Sequence, residues 1–186
     1  MNGQQAQAIE KMADGDNVMK IGFKRLSENA VLPKRNNDTD SGFDVYAAED
    51  IIVRPGETVV IKTDIAVVLP PYHEAYIKNR SGVASKTKLR VVSPPIDEGY
   101  RGAVGVIIDN IAEDPCGNES RYLTHLDGLD YRTDFELYPN GTYLIRKGDR
   151  IAQLTVQPRP NVVAYEVTDE LDETTRGANG FGSSGV

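Results

Sequence analysis

The residues with the clearest potential for chemistry lie in five short stretches rich in glycine, arginine, serine and aspartate. In chain order these stretches read "DSGFDVYAAED", "NRSGVASK", "PPIDEGYRG", "KGDRIAQL" and, at the end, "RGANGFGSSGV". Glycine lets backbone N–H groups approach an anion, serine hydroxyls add donors, and an arginine guanidinium matches the geometry of a phosphate. This composition is typical of loops around a phosphorylated ligand.

Two of the stretches combine an arginine with small residues. "NRSGVASK" offers Arg80, Ser81 and the Gly82 N–H where a short helix is predicted to begin, which suits an anion, although an ordinary helix N-cap explains the same residues. The terminal stretch surrounds Arg176 and a single aromatic residue, Phe181, with glycines and serines. A loop that closes over a phosphate and stacks on a planar ligand fits this pattern, and a flexible tail is the alternative.

The other three stretches supply two carboxylates and an amide. Asp97 precedes Tyr100 by three residues on a predicted hairpin. Asp44 follows a glycine by two residues, and Gln153 lies on a predicted strand behind a turn. A polar turn, a turn carboxylate and a solvent-facing amide are the alternative interpretations, so each stretch alone is weak evidence.

The segments that must position these residues are short and typical of β-strands. Runs such as "ETVVIK", "AVGVIID", "RIAQLTVQ" and "VVAYEV" are separated by turns rich in glycine and proline. This spacing predicts an all-β fold, as an antiparallel sandwich, jelly roll or barrel. Only residues 81–88 are predicted to form a helix, with Ser81 as its cap.

Composition narrows the classes of function. A length of 186 residues suits one domain, and a net charge of −7 disfavours general binding to nucleic acid or to an anionic membrane. The single cysteine, Cys116, allows no intrachain disulfide, and His73 and His125 lack a zinc-binding spacing. The sequence contains no signal peptide or membrane-spanning run, so we expect a cytoplasmic protein.

Two segments stand apart from the regular pattern. Residues 1–18 are polar and are predicted to be a flexible N-terminal extension. Residues 111–142, here called the insert, carry seven acidic residues against two arginines, which gives a charge of −5. A connection this long exceeds a simple hairpin, and its tyrosines and leucines predict a small ordered excursion. The two interpretations are a solubilising segment that folds back on the domain and a surface for a protein partner.

Taken together and in this order, the five stretches resemble the five motifs of the homotrimeric dUTPase family, the deoxyuridine triphosphate nucleotidohydrolases. "RSGVASK", "IDEGYRG", "GDRIAQL" and "RGANGFGSSG" carry the resemblance, which covers the chain from Lys20 onward except for the insert. The insert and the "GFGSSGV" ending are similar to those of enzymes encoded by phages of Gram-positive bacteria, which would place the protein in a host cytoplasm.

The resemblance implies a distorted jelly-roll or β-barrel subunit with one short helix at residues 19–175. It also implies a homotrimer whose three active sites lie at subunit boundaries. Residues 176–186 would form an arm that closes over the site of a neighbouring subunit. The implied reaction is hydrolysis of dUTP to dUMP and pyrophosphate, which limits uracil incorporation into DNA and supplies dUMP for thymidylate synthesis.

The resemblance also implies roles for individual residues. Asp97 matches the general base that activates the attacking water, and Tyr100 matches the ring that packs on deoxyribose. Phe181 matches the ring that stacks over uracil. Mg²⁺ would be held mainly by the phosphates and water, with Asp44 orienting one of those waters. The residues that match phosphate contacts are Arg80, Ser81, Gly82, Gln153, Arg176, Gly182 and Ser183, and those that match uracil contacts are Pro94, Ile96 and Gly105.

One departure from the family pattern affects the predicted uracil contacts. Pro94 stands where relatives usually have glycine, which removes an N–H donor from the segment that reads uracil.

Two rival functions accompany this interpretation. The nearest enzymatic rival is dCTP deaminase, which shares the fold but differs around Arg80. A rival of another class is a regulatory module, because some phage dUTPases bind repressor proteins. We expect such a partner, where one exists, to bind the insert as a second activity.

Overall fold

The computed structural model describes residues 19–114 and 116–178. In these ranges the chain forms short β-strands and one α-helix, which confirms the predicted all-β fold. The helix, α1, spans Ser81–Lys86. The strands are β1 (Gly22–Arg25), β2 (Phe43–Tyr46), β3 (Ile51–Val53), β4 (Thr58–Lys62), β5 (Ile65–Val68), β6 (His73–Asn79), β7 (Leu89–Val92), β8 (Pro95–Ile96), β9 (Gly105–Asn110), β10 (Glu119–Ser120), β11 (Tyr122–His125), β12 (Asp130–Arg132), β13 (Tyr138–Pro139), β14 (Tyr143–Ile145) and β15 (Arg150–Pro158).

The strands form a distorted jelly roll of small sheets. One sheet has the order β2-β15-β6-β8, a second β4-β9-β7, and a third β12-β11-β14-β3, while β1 pairs with β5 and β10 pairs with β13. The pairs are antiparallel except for β11 and β14, which run parallel. The longest strand, β15, lies between β2 and β6, so this first sheet contains residues from the first four of the functional stretches.

Alternating burial along the strands builds the core. In β9 the side chains of Val106, Ile108 and Asn110 are buried while the residues between them are partly exposed. This period of two places one face of each strand against the opposing sheet. The strand β15 contributes Ile151, which lies within a register shift between Arg150 and Ala152, and Leu154 to the same core.

The insert folds back on the domain. Its strands β10 and β13 pair, β11 and β12 form a hairpin, and β11 continues the sheet through β14. Leu123 and Leu126 are 4% and 8% exposed, and Leu126 belongs to the main core. The buried amide of Asn110 donates to the carbonyl oxygens of Val53 and Gly141 at 3.0 Å and 2.9 Å, and so ties both ends of the insert to β3.

Two predictions about secondary structure are wrong. Residues 162–167, "VVAYEV", form no strand, and Val162, Val163 and Tyr165 are 79%, 88% and 82% exposed. A strand needs a neighbour for its backbone N–H and C=O groups, and the described part of the chain provides none here. The helix α1 ends at Lys86 rather than Lys88, and Arg80 occupies the N-cap position without a side-chain capping bond, so Ser81 is not the cap.

Candidate active site

Asp97 lies at the tip of a loop that an edge strand holds in place. The loop joins β7 to β9 and carries β8, whose residues Pro95 and Ile96 pair with Tyr76 and Ala75 of β6. Directly after this ladder the chain turns, and the Tyr100 N–H donates to the Asp97 carbonyl oxygen at 3.0 Å. The Asp97 side chain is therefore presented on a short, internally bonded turn and is exposed.

A cavity of about 200 Å³ lies beside this turn. The Tyr100 hydroxyl donates to the Ala103 carbonyl oxygen at 2.9 Å, which fixes the direction of the ring. Four of the residues predicted to contact substrate or water, Ile96, Asp97, Tyr100 and Gly105, thus line one cavity, whereas Pro94 lies just before it and is exposed. The lining residues are Pro95, Ile96, Asp97, Tyr100, Ala103, Val104 and Gly105.

Two glycines near this cavity allow neighbouring side chains to approach the backbone closely. A Cβ atom on Gly102 would lie 2.5 Å from the Tyr100 hydroxyl oxygen, and one on Gly105 would lie 2.7 Å from a methyl carbon of Val60. Both distances are far below van der Waals contact. The absence of a side chain at Gly102 therefore allows the Tyr100 ring to fold over the loop and reach Ala103.

A second group of predicted site residues meets where β2, β15 and the end of β6 converge. Asp44 of β2 lies opposite Gln153 of β15, and Gln153 lies opposite Lys78 of β6. Cross-strand neighbours in such a register have Cβ atoms about 5 Å apart. Arg80 follows β6 directly, so the sheet itself brings Asp44, Gln153 and Arg80 together.

The Asp44 carboxylate forms ion pairs with two arginines in this group. Its carboxylate is 7% exposed and accepts from Arg80 Nε at 3.0 Å and from Arg150 Nη1 at 3.2 Å. Arg80 also donates to the Arg150 carbonyl oxygen at 3.2 Å. A carboxylate this buried requires such partners, because an unpaired charge inside a protein is costly. Burial raises the pKa of the neighbouring Tyr46 hydroxyl, and the negative charge of Asp44 adds to that rise.

Sequence reasoning missed Arg150 although it lies within "KGDRIAQL". Its partner Asp44 is 106 residues away, so the ion pair follows only from the register of β2 with β15. The same reasoning assigned no role to His125. In the structure His125 Nε2 lies 2.8 Å from a carboxylate oxygen of Asp149, which joins the insert to the turn before β15.

This contact brings the insert next to the group of Asp44, Arg80 and Arg150, here called the arginine group. A cavity of about 260 Å³ separates the start of α1 from the turn after β11. Residues of the insert therefore face the stretch "NRSGVASK" across a shared space. The cavity is lined by Arg80, Gly82, Val83, Lys86, His125, Leu126, Asp127, Asp149 and Arg150.

One chain thus presents two separate groups of predicted site residues. The cavity beside Asp97 and the cavity beside Arg80 have no lining residue in common. Ser81 and Gly82 are exposed at the start of α1, and Arg176 is exposed in the turn that Thr174 and Gly177 close. Phe181, Gly182 and Ser183 lie outside the described residues, as does the predicted extension of residues 1–18.

An all-β domain with a carboxylate beside a cavity and an arginine group beside an open glycine-containing turn is suited to hydrolysing a phosphorylated ligand. The chain matches the dUTPase family model over residues 28–117 and 131–185. Deoxyuridine 5′-triphosphate nucleotidohydrolase from Gloeothece citriformis is 36% identical over 170 residues, covering 90% of this chain and 98% of the relative. The enzyme of the same name from Nocardia farcinica is 41% identical over 167 residues, covering 89% and 85%.

Solved structures of phage dUTPases are similar over the same length. The Staphylococcus bacteriophage 80alpha dUTPase with dUpNHpp is 40% identical, with a TM-score of 0.83, covering 90% of this chain and 99% of that one. The dUTPase of Staphylococcus aureus phage phi11, which has a species-specific insert, is 36% identical with a TM-score of 0.77 and covers 81% and 97%. A point mutant of the phi11 enzyme is described with a structural Mg(II) ion.

The chain belongs to the dUTPase family. Its enzyme class is that of the deoxyuridine triphosphate nucleotidohydrolases, which favours hydrolysis over the deaminase alternative. The family match omits residues 118–130, which lie within the insert. Among the described residues, no helix has the length and apolar character needed to cross a bilayer.

Proposed function

We propose that this chain hydrolyses dUTP to dUMP and pyrophosphate with Asp97 as the general base. Water attacks the α-phosphorus, its proton passes to the Asp97 carboxylate, and pyrophosphate leaves. The observation that supports this most directly is the exposed Asp97 side chain at the cavity that Ile96, Tyr100 and Gly105 also line. A carboxylate in that position can accept a proton from water while a nucleoside occupies the cavity.

The same cavity accounts for substrate selection. The Tyr100 ring, held by its bond to Ala103, packs flat on deoxyribose and leaves no room for a 2′-hydroxyl. Backbone groups from Pro94 to Gly105 read uracil, with the Pro94 carbonyl oxygen as an acceptor because proline has no N–H. The close fit of this loop excludes the methyl group of thymine.

The arginine group binds the phosphate chain. Arg80, Ser81, Gly82 and Gln153 contact the phosphates, and a Cβ position on Gly82 meets no described atom within 4 Å, so the backbone is open to an anion there. Asp44 holds Arg80 in place. From the C-terminal arm, Arg176, Gly182 and Ser183 hold the terminal phosphate and Phe181 stacks over uracil.

Magnesium is the proposed cofactor. Residues 19–114 and 116–178 contain no cluster of three His, Cys, Asp or Glu side chains that could hold a metal ion. A bound ion would therefore take its ligands mainly from the phosphates and water. Asp44 fits the role of orienting one such water, because each of its oxygens has one arginine contact and a second lone pair remains. When bound, Mg²⁺ would offset negative charge that develops on the phosphates.

We further propose that three copies of the chain assemble each active site. The separation of the Asp97 cavity from the arginine group supports this, since the proposed base and the proposed phosphate donors line no common cavity of one chain. Mixing inactive Asp97→Asn and Arg80→Ala subunits tests it. If the two groups come from different subunits, random assortment restores about a quarter of the sites. Complete inactivity after mixing would show that both groups act within one chain.

Pyrophosphate release from dUTP, dTTP, dCTP and UTP with magnesium tests the reaction. We expect selective turnover of dUTP, its loss in Asp97→Asn, and a strong reduction in a chain that ends at Thr175. Full activity of Asp97→Asn would remove the proposed base. Equal turnover of UTP and dUTP would remove the role of Tyr100.

A second role in regulation rests on the surface of the insert. Phe135, Leu129 and Leu137 are 92%, 62% and 53% exposed, which is unusual for three apolar side chains in one segment. Phage dUTPases such as that of bacteriophage 80alpha control transfer of virulence genes by a proto-oncogenic G protein-like mechanism. We propose that the insert binds a repressor-like protein. Phe135→Ser should weaken binding of a phage repressor measured by calorimetry and leave dUTP turnover intact.

A further inference from the structure

Glu98, the residue after the proposed base, contacts a distant part of the chain. Its Oε2 accepts a hydrogen bond from the backbone N–H of Tyr72 at 2.8 Å and lies 3.7 Å from Arg159 Nη2. Tyr72 directly precedes β6, and Arg159 directly follows β15. The Glu98 side chain therefore joins the loop that carries Asp97 to the ends of two central strands.

Both backbone groups of Tyr72 are occupied by this arrangement. Its N–H donates to Glu98, and its carbonyl oxygen accepts from the Arg159 N–H at 2.7 Å. Tyr72 has a φ of 61°, in the left-handed region that a residue with a side chain adopts only when its surroundings hold it there. The Tyr72 backbone is therefore held in place, and its N–H gives the Glu98 side chain a rigid attachment site.

The β-ladder alone does not hold Asp97. Pairing between β6 and β8 ends at Ala75 and Ile96, so Asp97 is the first residue beyond the ladder. Other described bonds of the turn are internal, such as Tyr100 N–H to the Asp97 carbonyl oxygen and Arg101 Nη1 to the Glu98 carbonyl oxygen at 2.6 Å. Internal bonds fix the shape of the turn but not its position relative to the sheet. On the far side of the turn, the Val104 N–H donates to the Ile65 carbonyl oxygen at 2.8 Å. On the Asp97 side, the Glu98 carboxylate supplies the external attachment.

We propose that Glu98 is a positioning residue for Asp97, an inference that rests on the proposed role of Asp97 as general base. By anchoring the turn to the Tyr72 N–H, Glu98 sets where the Asp97 carboxylate stands relative to the attacking water. Glu98 contributes through geometry, because Asp97 can accept the proton only within hydrogen-bond distance of the attacking water. The hydrogen bond to Tyr72 carries the effect, and the longer contact to the half-exposed Arg159 side chain contributes less.

Kinetics of two Glu98 variants test this role. In Glu98→Ala we expect kcat for dUTP to fall about fivefold, the size expected for loss of one such hydrogen bond, with KM changed by less than about twofold. KM is spared because Pro95 and Ile96 stay paired with β6. Glu98→Gln keeps an oxygen acceptor for the Tyr72 N–H and should restore kcat to within about twofold of the parent.

The chain offers a closely matched control in Glu57. Its Oε2 accepts the Arg54 N–H at 2.8 Å, and its Oε1 lies 3.6 Å from Arg54 Nη1, at a turn away from the Asp97 cavity. Glu57→Ala should therefore lose the same kinds of contact and leave kcat unchanged. A fall in kcat of equal size in both alanine variants, or no rescue by Glu98→Gln, would overturn the proposal.

The Asp97→Asn variant separates failure of this inference from failure of the proposed function. If Asp97→Asn is inactive and Glu98→Ala turns over like the parent, Asp97 is the base and Glu98 does not position it. If Asp97→Asn retains full activity, Asp97 is not the base, and the role of Glu98 is overturned with it.

Discussion

Replacing Asp44 with asparagine tests whether the arginine group is held by charge. The substitution keeps the shape of a side chain that is 7% exposed. Its amide offers one acceptor oxygen and turns its NH₂ donors toward the second guanidinium. Either Arg80 or Arg150 therefore loses its acceptor, and both lose the negative charge that offsets their own.

The size of the effect follows from how much water reaches the two arginines. Removing one partner of a fully buried ion pair costs about 3–5 kcal/mol. The Arg80 and Arg150 side chains are 22% and 49% exposed, so solvent compensates part of the loss. We expect Asp44→Asn to lower the free energy of unfolding by about 2 kcal/mol. For a domain of this size that corresponds to a fall in Tm of about 4–8 °C.

Urea unfolding at a fixed protein concentration measures this loss, and Glu49→Gln is the control. Glu49 lies 3.0 Å from Lys62 Nζ, a distance equal to that between Asp44 and Arg80, but the two side chains are 38% and 68% exposed. The control should therefore change stability little. Asp44→Asn should also raise KM for dUTP, because Arg80 is no longer held. Equal urea midpoints for the two variants would refute the view that burial makes Asp44 structurally important.

Two further substitutions have matched controls. Gly102→Ala would place a Cβ atom 2.5 Å from the Tyr100 hydroxyl oxygen and should displace that hydroxyl. We expect kcat/KM for dUTP to fall at least about tenfold, with little change in Tm. Gly99→Ala is the control and should behave like the parent, because its Cβ position meets no described atom within 4 Å. Equal kcat/KM values for the two would contradict the packing argument. Leu123→Ala removes a side chain that is 4% exposed and should cost about 2–4 kcal/mol in urea unfolding, while Phe135→Ala, 92% exposed, should leave stability unchanged. If Leu123→Ala leaves the free energy of unfolding unchanged, the insert is not packed on the domain.

The longer strands could be predicted from the sequence because their side chains alternate. The runs "AVGVIID" and "RIAQLTVQ" correspond to β9 and β15. Burial follows a period of two throughout β9, whereas in β15 the register shift places Ile151 and Ala152 both inside. Strands of two or three residues, such as β8 and β10, have no period to detect and exist because a partner strand lies beside them. Pairing of that kind depends on the tertiary fold, which a single segment cannot reveal.

For the site, the sequence predicts roles for residues in short stretches, such as Asp97, Arg80 and Gln153, and these roles stay predictions. The contacts that hold such residues in place are visible only in the structure. The bond from Tyr72 to Glu98 spans 26 residues and the bond from Arg150 to Asp44 spans 106, so neither is visible as a spacing. Contacts between residues far apart in the chain depend on strand register. They cannot be predicted from one sequence until that register is known.

The exposed segment after β15 offers a physical argument for the proposed assembly of several copies of the chain. Val162, Val163 and Tyr165 are more than three-quarters exposed, although burying each would stabilise the protein by about 1.5–3 kcal/mol. Valine and tyrosine are typical of strands, yet the described part of the same chain offers no partner strand. A neighbouring copy can supply both the partner and the apolar surface. Residues 168–175 join this segment to Arg176, so in the proposed assembly the contact that buries these side chains would also bring Arg176 near another subunit.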